Sequence, residues 1–98
     1  MAYTYKNELY DEVARFNKKY CKNTKNYLRV GSAYNGYRVE LTGKTYERNG
    51  HKKWRGIGSG ADSVTHGYLS PKETLANLYR AESKGWLKSQ IKNWEKFR

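Results

Sequence analysis

The sequence predicts one α+β domain spanning residues 1–98: an N-terminal helix, an antiparallel sheet of three or four strands, then two helices packed on one sheet face. Three observations carry that expectation. Apolar residues recur at helical spacing at both ends of the chain, and alternating residues in the middle flank an Asn-Gly pair. Aromatic residues make up 15% of the chain, enough to fill a core although only 37% of residues are apolar. A disordered chain would lack those rings.

The first helix is expected over residues 6–22. Leu9, Val13, Phe16 and Tyr20 fall on one stripe, the pattern of a helix that buries a single face. Glu8, Asp11 and Glu12 sit in its first turns and Lys18, Lys19 and Lys22 in its last, an order that complements the helix dipole. Next, Tyr27–Tyr34 and Tyr37–Thr42 flank Asn35-Gly36. Asn-Gly suits a two-residue hairpin turn because both central residues need positive φ. With that pair at the tip, 34 pairs with 37, 32 with 39, 30 with 41 and 28 with 43. Leu28, Val30, Ser32, Tyr34, Tyr37, Val39 and Leu41 then share one face. Tyr27, Arg29, Ala33, Arg38, Glu40 and Thr42 share the other.

A second Asn-Gly, Asn49-Gly50, predicts a further hairpin between 44–48 and 51–57, with Trp54 inward and a bulge near Gly43 or Gly56. Gly56–Gly60 reads as a loop, and Ser63–Leu69 as a short fourth strand. Ser70-Pro71-Lys72-Glu73 has the N-cap, N1 proline and capping-box glutamate of a helix start. That helix is expected to run to Lys84 with Leu75, Leu78 and Tyr79 inward, and Gly85 to stop it. A last helix, 86–97, aligns Leu87, Ile91 and Trp94. Tyr20, Leu9, Val13, Phe16, Leu28, Val30, Val39, Leu41, Trp54 and the apolar helix residues just named form the expected core.

Charge points to the function. Lys plus Arg number 20 against 9 acidic residues, a net charge of +11, which favours association with nucleic acid, an anionic membrane or an acidic protein. No acid lies between Val13 and Val39, where Arg15, Lys18, Lys19, Lys22, Lys25, Arg29 and Arg38 occur. A second acid-free stretch, Arg48–Ala61, holds Arg48, Lys52, Lys53 and Arg55. With Tyr20, Tyr27, Tyr46 and Trp54 near them, these cations compose the expected binding surface for nucleic acid or a nucleoprotein partner. Cations release condensed counterions, and rings stack on unpaired bases. Lys84, Lys88, Lys92 and Lys96 add a cationic row that would follow a phosphate backbone without reading bases.

Catalysis has little to draw on, and neither an enzyme nor a cofactor is expected. His51 and His66 are not at metal-ligand spacing with Cys21. Asp62, Ser63 and His66 are near in sequence, which does not by itself bring a nucleophile to a base. The Gly56–Gly60 run lacks the Lys-Ser/Thr ending of a phosphate-binding loop. The lone Cys21 excludes an internal disulfide and suits a reducing cytoplasm. No apolar run approaches a membrane span, so no membrane partner is expected, and the first residues contain no hydrophobic signal core.

The order helix, three strands, helix resembles the double-stranded RNA-binding domain. That family's lysine cluster at the start of its second helix corresponds to residues 71–76, where Lys72 stands alone beside Glu73. As a short Lys/Asn/Tyr-rich domain, the chain also resembles small accessory proteins of Gram-positive phages and mobile elements, anti-CRISPR proteins among them. That likeness implies the host cytoplasm as location and, as an alternative to direct nucleic-acid binding, an inhibitor that docks onto a host defence nuclease complex.

Overall fold

In the computed structural model, which describes residues 3–24, 26–43, 46–48, 51–53 and 61–95, the first helix is α1 (Tyr5–Tyr20). It starts one residue earlier than expected because Thr4 and Asn7 make a reciprocal cap. The Thr4 hydroxyl accepts the Asn7 N–H, and the Asn7 side chain accepts the Thr4 N–H. It also stops earlier than Lys22. The Thr24 hydroxyl donates to the Cys21 carbonyl and accepts the Asn26 N–H, which turns the chain toward the sheet.

β1 (Asn26–Ala33) and β2 (Gly36–Gly43) form the antiparallel hairpin around which the domain is built. Its register differs from the expected one by two residues. Ala33 pairs with Gly36, Val30 with Val39 and Leu28 with Leu41, so the turn is Tyr34-Asn35 and both residues take positive φ, 51° and 59°. A two-residue shift preserves which side chains share a face, so the predicted faces stand. The reason for the shift lies outside the hairpin. Gly36 abuts the Tyr68–Leu69 backbone, where a Cβ would lie 2.7 Å from the Tyr68 carbonyl carbon. The glycine serves that close approach, and the turn falls to its neighbours.

Among the described residues no strand pairs with the outer edge of β1. Asn17 of α1 fills the place of one there: its Nδ2 donates to the Leu28 carbonyl (2.8 Å) and its Oδ1 accepts the Leu28 N–H (2.6 Å). Along the other edge of β2 runs a three-residue segment, β5 (Ala61–Ser63). The expected strand Ser63–Leu69 is otherwise a bowed connection. Only its ends bond to β2, through Val64 to Val39 and Leu69 to Tyr37, while the Thr65 hydroxyl takes the Val39 N–H. Gly67, at φ 60°, bends the chain between them. Of the second Asn-Gly hairpin, β3 (Tyr46–Arg48) and β4 (His51–Lys53) pair with each other and not with β2. Residues 49–50 and 54–60, including Trp54 and the glycine run, lie outside the described residues. The β1–β2 ladder runs as far as Gly43 without a bulge.

α2 (Pro71–Ser83) starts at Ser70, whose hydroxyl accepts the Glu73 N–H and donates to the Glu73 carboxylate. The glutamate thus closes on the hydroxyl, where a full capping box would close on the Ser70 N–H. Gly85 takes φ 79°, ends α2 and offers its carbonyl to Ser89, starting α3 (Trp86–Glu95). Thr74 is fully buried and its hydroxyl donates to the Tyr37 carbonyl (2.8 Å), fixing α2 to β2.

The core joins Leu9, Val13 and Phe16 of α1 to Leu28, Val39 and Leu41 of the hairpin. Leu75, Leu78 and Ala81 of α2, and Leu87, Ile91 and Trp94 of α3, complete it together with Cys21. Tyr20 and Val30, expected inside, are half-buried at its margin, and Tyr79 is exposed. Among the described residues no helix is long and apolar enough to cross a membrane.

Candidate nucleic-acid interface

With the helices on one face of the hairpin, the alternation of a pleated strand sends Tyr27, Arg29, Arg38 and Glu40 to the other. Glu40 is buried, and its carboxylate lies between two guanidinium groups. Arg29 Nε donates to Oε1 at 2.8 Å and Arg38 Nε to Oε2 at 2.6 Å. Gly31 makes this possible, since a Cβ there would meet the Glu40 carboxylate carbon at 2.7 Å. Burial works to raise the Glu40 carboxyl, but the hydrogen bonds and charges of the two arginines outweigh it and hold the group below the usual carboxylate range. The hydrogen bond to Glu40 in turn raises Arg29, with the neighbouring Tyr27 adding to the same side.

Both arginines spend Nε on Glu40. Their side chains remain 44% and 27% exposed, Arg29 beside Tyr27 and Arg38 against the Tyr68 ring. An arginine held this way has its fork orientation fixed before any ligand arrives. Beyond Arg38 the face continues into rings. The Arg38 guanidinium lies 4.7 Å from the centre of Tyr68, and Tyr68 packs at 5.6 Å against Tyr34 at the hairpin tip. At the opposite end, Tyr27 joins Asn17, Lys18, Cys21, Lys22 and Asn26 around a shallow groove, with both lysines exposed.

The structure therefore sets Arg29 and Arg38 on the outer face of the hairpin, and Lys18 and Lys22 with Tyr27 at a groove where the end of α1 meets the start of β1. Arg15 and Lys19 go elsewhere. Arg15 pairs with Glu12 at 2.6 Å and covers the Phe16 ring, while Lys19 reaches Glu82 of α2 at 3.4 Å. Lys19 and Lys88 flank the Tyr20 ring, whose hydroxyl donates to Glu82 at 2.5 Å. That hydrogen bond is the main cause of the lowered Glu82 carboxyl. Lys19 links α1 to α2 and Lys88 sets α3 against Tyr20 of α1, while Arg15 stays within α1. Lys84 and Lys92 are exposed, without a carboxylate partner among the described residues. Lys25, Arg55 and Lys96, and the side chains of Tyr46, Arg48, Lys52 and Lys53, lie outside what is described.

Sequence reasoning missed Tyr34 and Tyr68. The Asn-Gly rule set Tyr34 inside the ladder opposite Tyr37, and alternation alone made Tyr68 a strand residue. Among the described residues no three of His, Cys, Asp and Glu gather where they could hold a metal ion. The chain matches no protein-family model, no curated protein and no solved structure.

Proposed function

We propose that this protein is a non-enzymatic binder of nucleic acid or nucleoprotein, and that the outer face of the β1–β2 hairpin is its working surface. One observation carries the reading: Arg29 and Arg38 are both anchored by Nε to the buried Glu40 and remain 44% and 27% exposed among tyrosines. Arginine forks fixed in this way suit phosphate oxygens, and Lys18 and Lys22 extend the positive surface past Tyr27. The proposal takes the antiparallel sheet to have three or four strands, with Ala61–Ser63 along β2 as one of them. By charge and composition the proposal also counts Lys25, Tyr46, Arg48, Lys52, Lys53 and Arg55 among the binding residues. The phage-accessory likeness fits a protein that works on host nucleoprotein in the host cytoplasm.

The test is salt dependence combined with charge reversal. Wild-type protein should bind single-stranded and duplex oligonucleotides with an affinity that falls by orders of magnitude between about 50 and 200 mM salt. Lys18→Glu combined with Lys22→Glu should remove most of that affinity while leaving the unfolding transition in place, because both side chains are exposed. Unchanged binding by this variant refutes the assignment of the face. Negligible binding of bare nucleic acid, with one host protein recovered from lysate whether or not nuclease is added, would replace it with the inhibitor reading.

A further inference from the structure

The hairpin tip carries a conformational cost that follows from the commitment of Gly36 to the Tyr68–Leu69 backbone. Asn35-Gly36 is the pair that takes positive φ most readily, yet the turn is made by Tyr34-Asn35, and Tyr34 sits at φ 51°. A bulky aromatic residue in the left-handed region is uncommon. It is also the most exposed large hydrophobic side chain among the described residues, at 89%. Its ring is not loose, because Tyr68 supports it at 5.6 Å with an interplanar angle of 59°, and Arg38 supports Tyr68 in turn. Arg38 is fixed by Glu40. The result is an exposed ring, held by a second ring and a clamped cation, at the end of a positively charged strip.

We infer that Tyr34 is a stacking platform for an unpaired base, which makes single-stranded nucleic acid the ligand class of this face. The inference rests on the polyanion reading above and narrows it. A base in a duplex already has both faces covered, so a ring projecting from a hairpin tip gains nothing from it. An unpaired base offers an open π-face that any aromatic side chain can cover. Arg38 stands one ring behind Tyr34, where its terminal nitrogens can meet the phosphate next to the stacked base. Stacking of this kind is tolerant of base identity, so little sequence preference is expected.

The experiment uses the full chain and four labelled strands of about 12 nucleotides, a length within the site sizes of single-strand binders. These are oligothymidine, oligouridine, an abasic strand of the same length, and a duplex, compared by fluorescence anisotropy at low salt. Wild type should bind the two base-bearing single strands at least about tenfold tighter than the abasic strand or the duplex. Their ratio separates DNA from RNA as the preferred source. Tyr34→Asn keeps a residue that accepts positive φ, so it should unfold near the wild-type temperature while losing the tenfold preference. Tyr34→Trp should keep the preference and show quenching of the added indole on binding.

If Tyr34→Asn binds base-bearing and abasic strands in the wild-type ratio, the stacking platform is refuted while salt-dependent binding, and with it the polyanion reading, stands. If wild type binds none of the four strands in a salt-dependent way, the polyanion reading itself falls. If Tyr34→Asn loses only a protein captured from lysate, the tip is a protein contact and the inference is overturned.

Discussion

Replacing Glu40 by Gln should make the protein less stable and a better ligand for polyanions at the same time. The carboxylate is 7% exposed and receives two charge-assisted hydrogen bonds, at 2.8 and 2.6 Å. Such bonds contribute about 1.5–3 kcal/mol each when desolvated. The arginine ends are 44% and 27% exposed, so water recovers part of what they lose, and glutamine keeps one oxygen for one of them. The expected net loss is about 2 kcal/mol, or a melting temperature lowered by about 8–16 °C for a domain of this size. The pH dependence has a definite sign. Glu40 titrates below the ordinary carboxylate value of 4.5, so its contribution is fully present above that pH and is lost as pH falls through its own lower value. Urea titrations of wild type and variant should therefore differ at neutral pH and converge as the pH falls through the depressed value of the Glu40 carboxyl. In binding, two guanidinium groups lose their carboxylate, and the salt slope on single-stranded DNA should steepen by about one unit. Equal stability at neutral pH, or a difference that persists unchanged in acid, would refute the claim that the ionised carboxylate holds this face together. A weaker, shallower interaction with DNA would refute the claim that the arginines meet phosphate.

Three further outcomes are expected. Gly36→Ala should destabilise more than Gly31→Ala in denaturant titrations, by about 3 against about 1 kcal/mol, because the new methyl meets fixed backbone at Tyr68 in one case and a side-chain carboxylate in the other. The Gly31→Ala cost should shrink in a Glu40→Ala background, which a double-mutant cycle measures. Asn17→Asp removes the donor to the Leu28 carbonyl and sets a carboxylate against it, and should cost about 1–3 kcal/mol with faster amide exchange along β1.

Much of the fold was legible in the residues because short-range rules decided it. The stripe of Leu9, Val13 and Phe16, the Ser70-Pro71 start and the Gly85 stop each depend on neighbours within one or two helical turns, and the structure keeps all of them. The hairpin itself was legible too, as was the division of its side chains between two faces, since a period of two survives any even shift of register. The candidate surface was legible only as a composition: cations without acids, among tyrosines.

What the tertiary structure alone decided is where those cations go and which residues hold the tip. Arg15 and Lys19 found Glu12 and Glu82. Glu12 stands three residues before Arg15 on the same helix, a spacing the sequence shows, but nothing distinguished Lys19 from Lys18 and Lys22, because its pairing across helices depends on how those helices pack. Arg29 and Arg38 kept their place, but through a carboxylate that only the absence of a side chain at Gly31 lets between them. The turn moved from Asn35-Gly36 to Tyr34-Asn35 because a distant segment, Tyr68–Leu69, needed the room that only Gly36 leaves. Local preference named the residues able to make the turn; a steric contact more than thirty residues away chose among them.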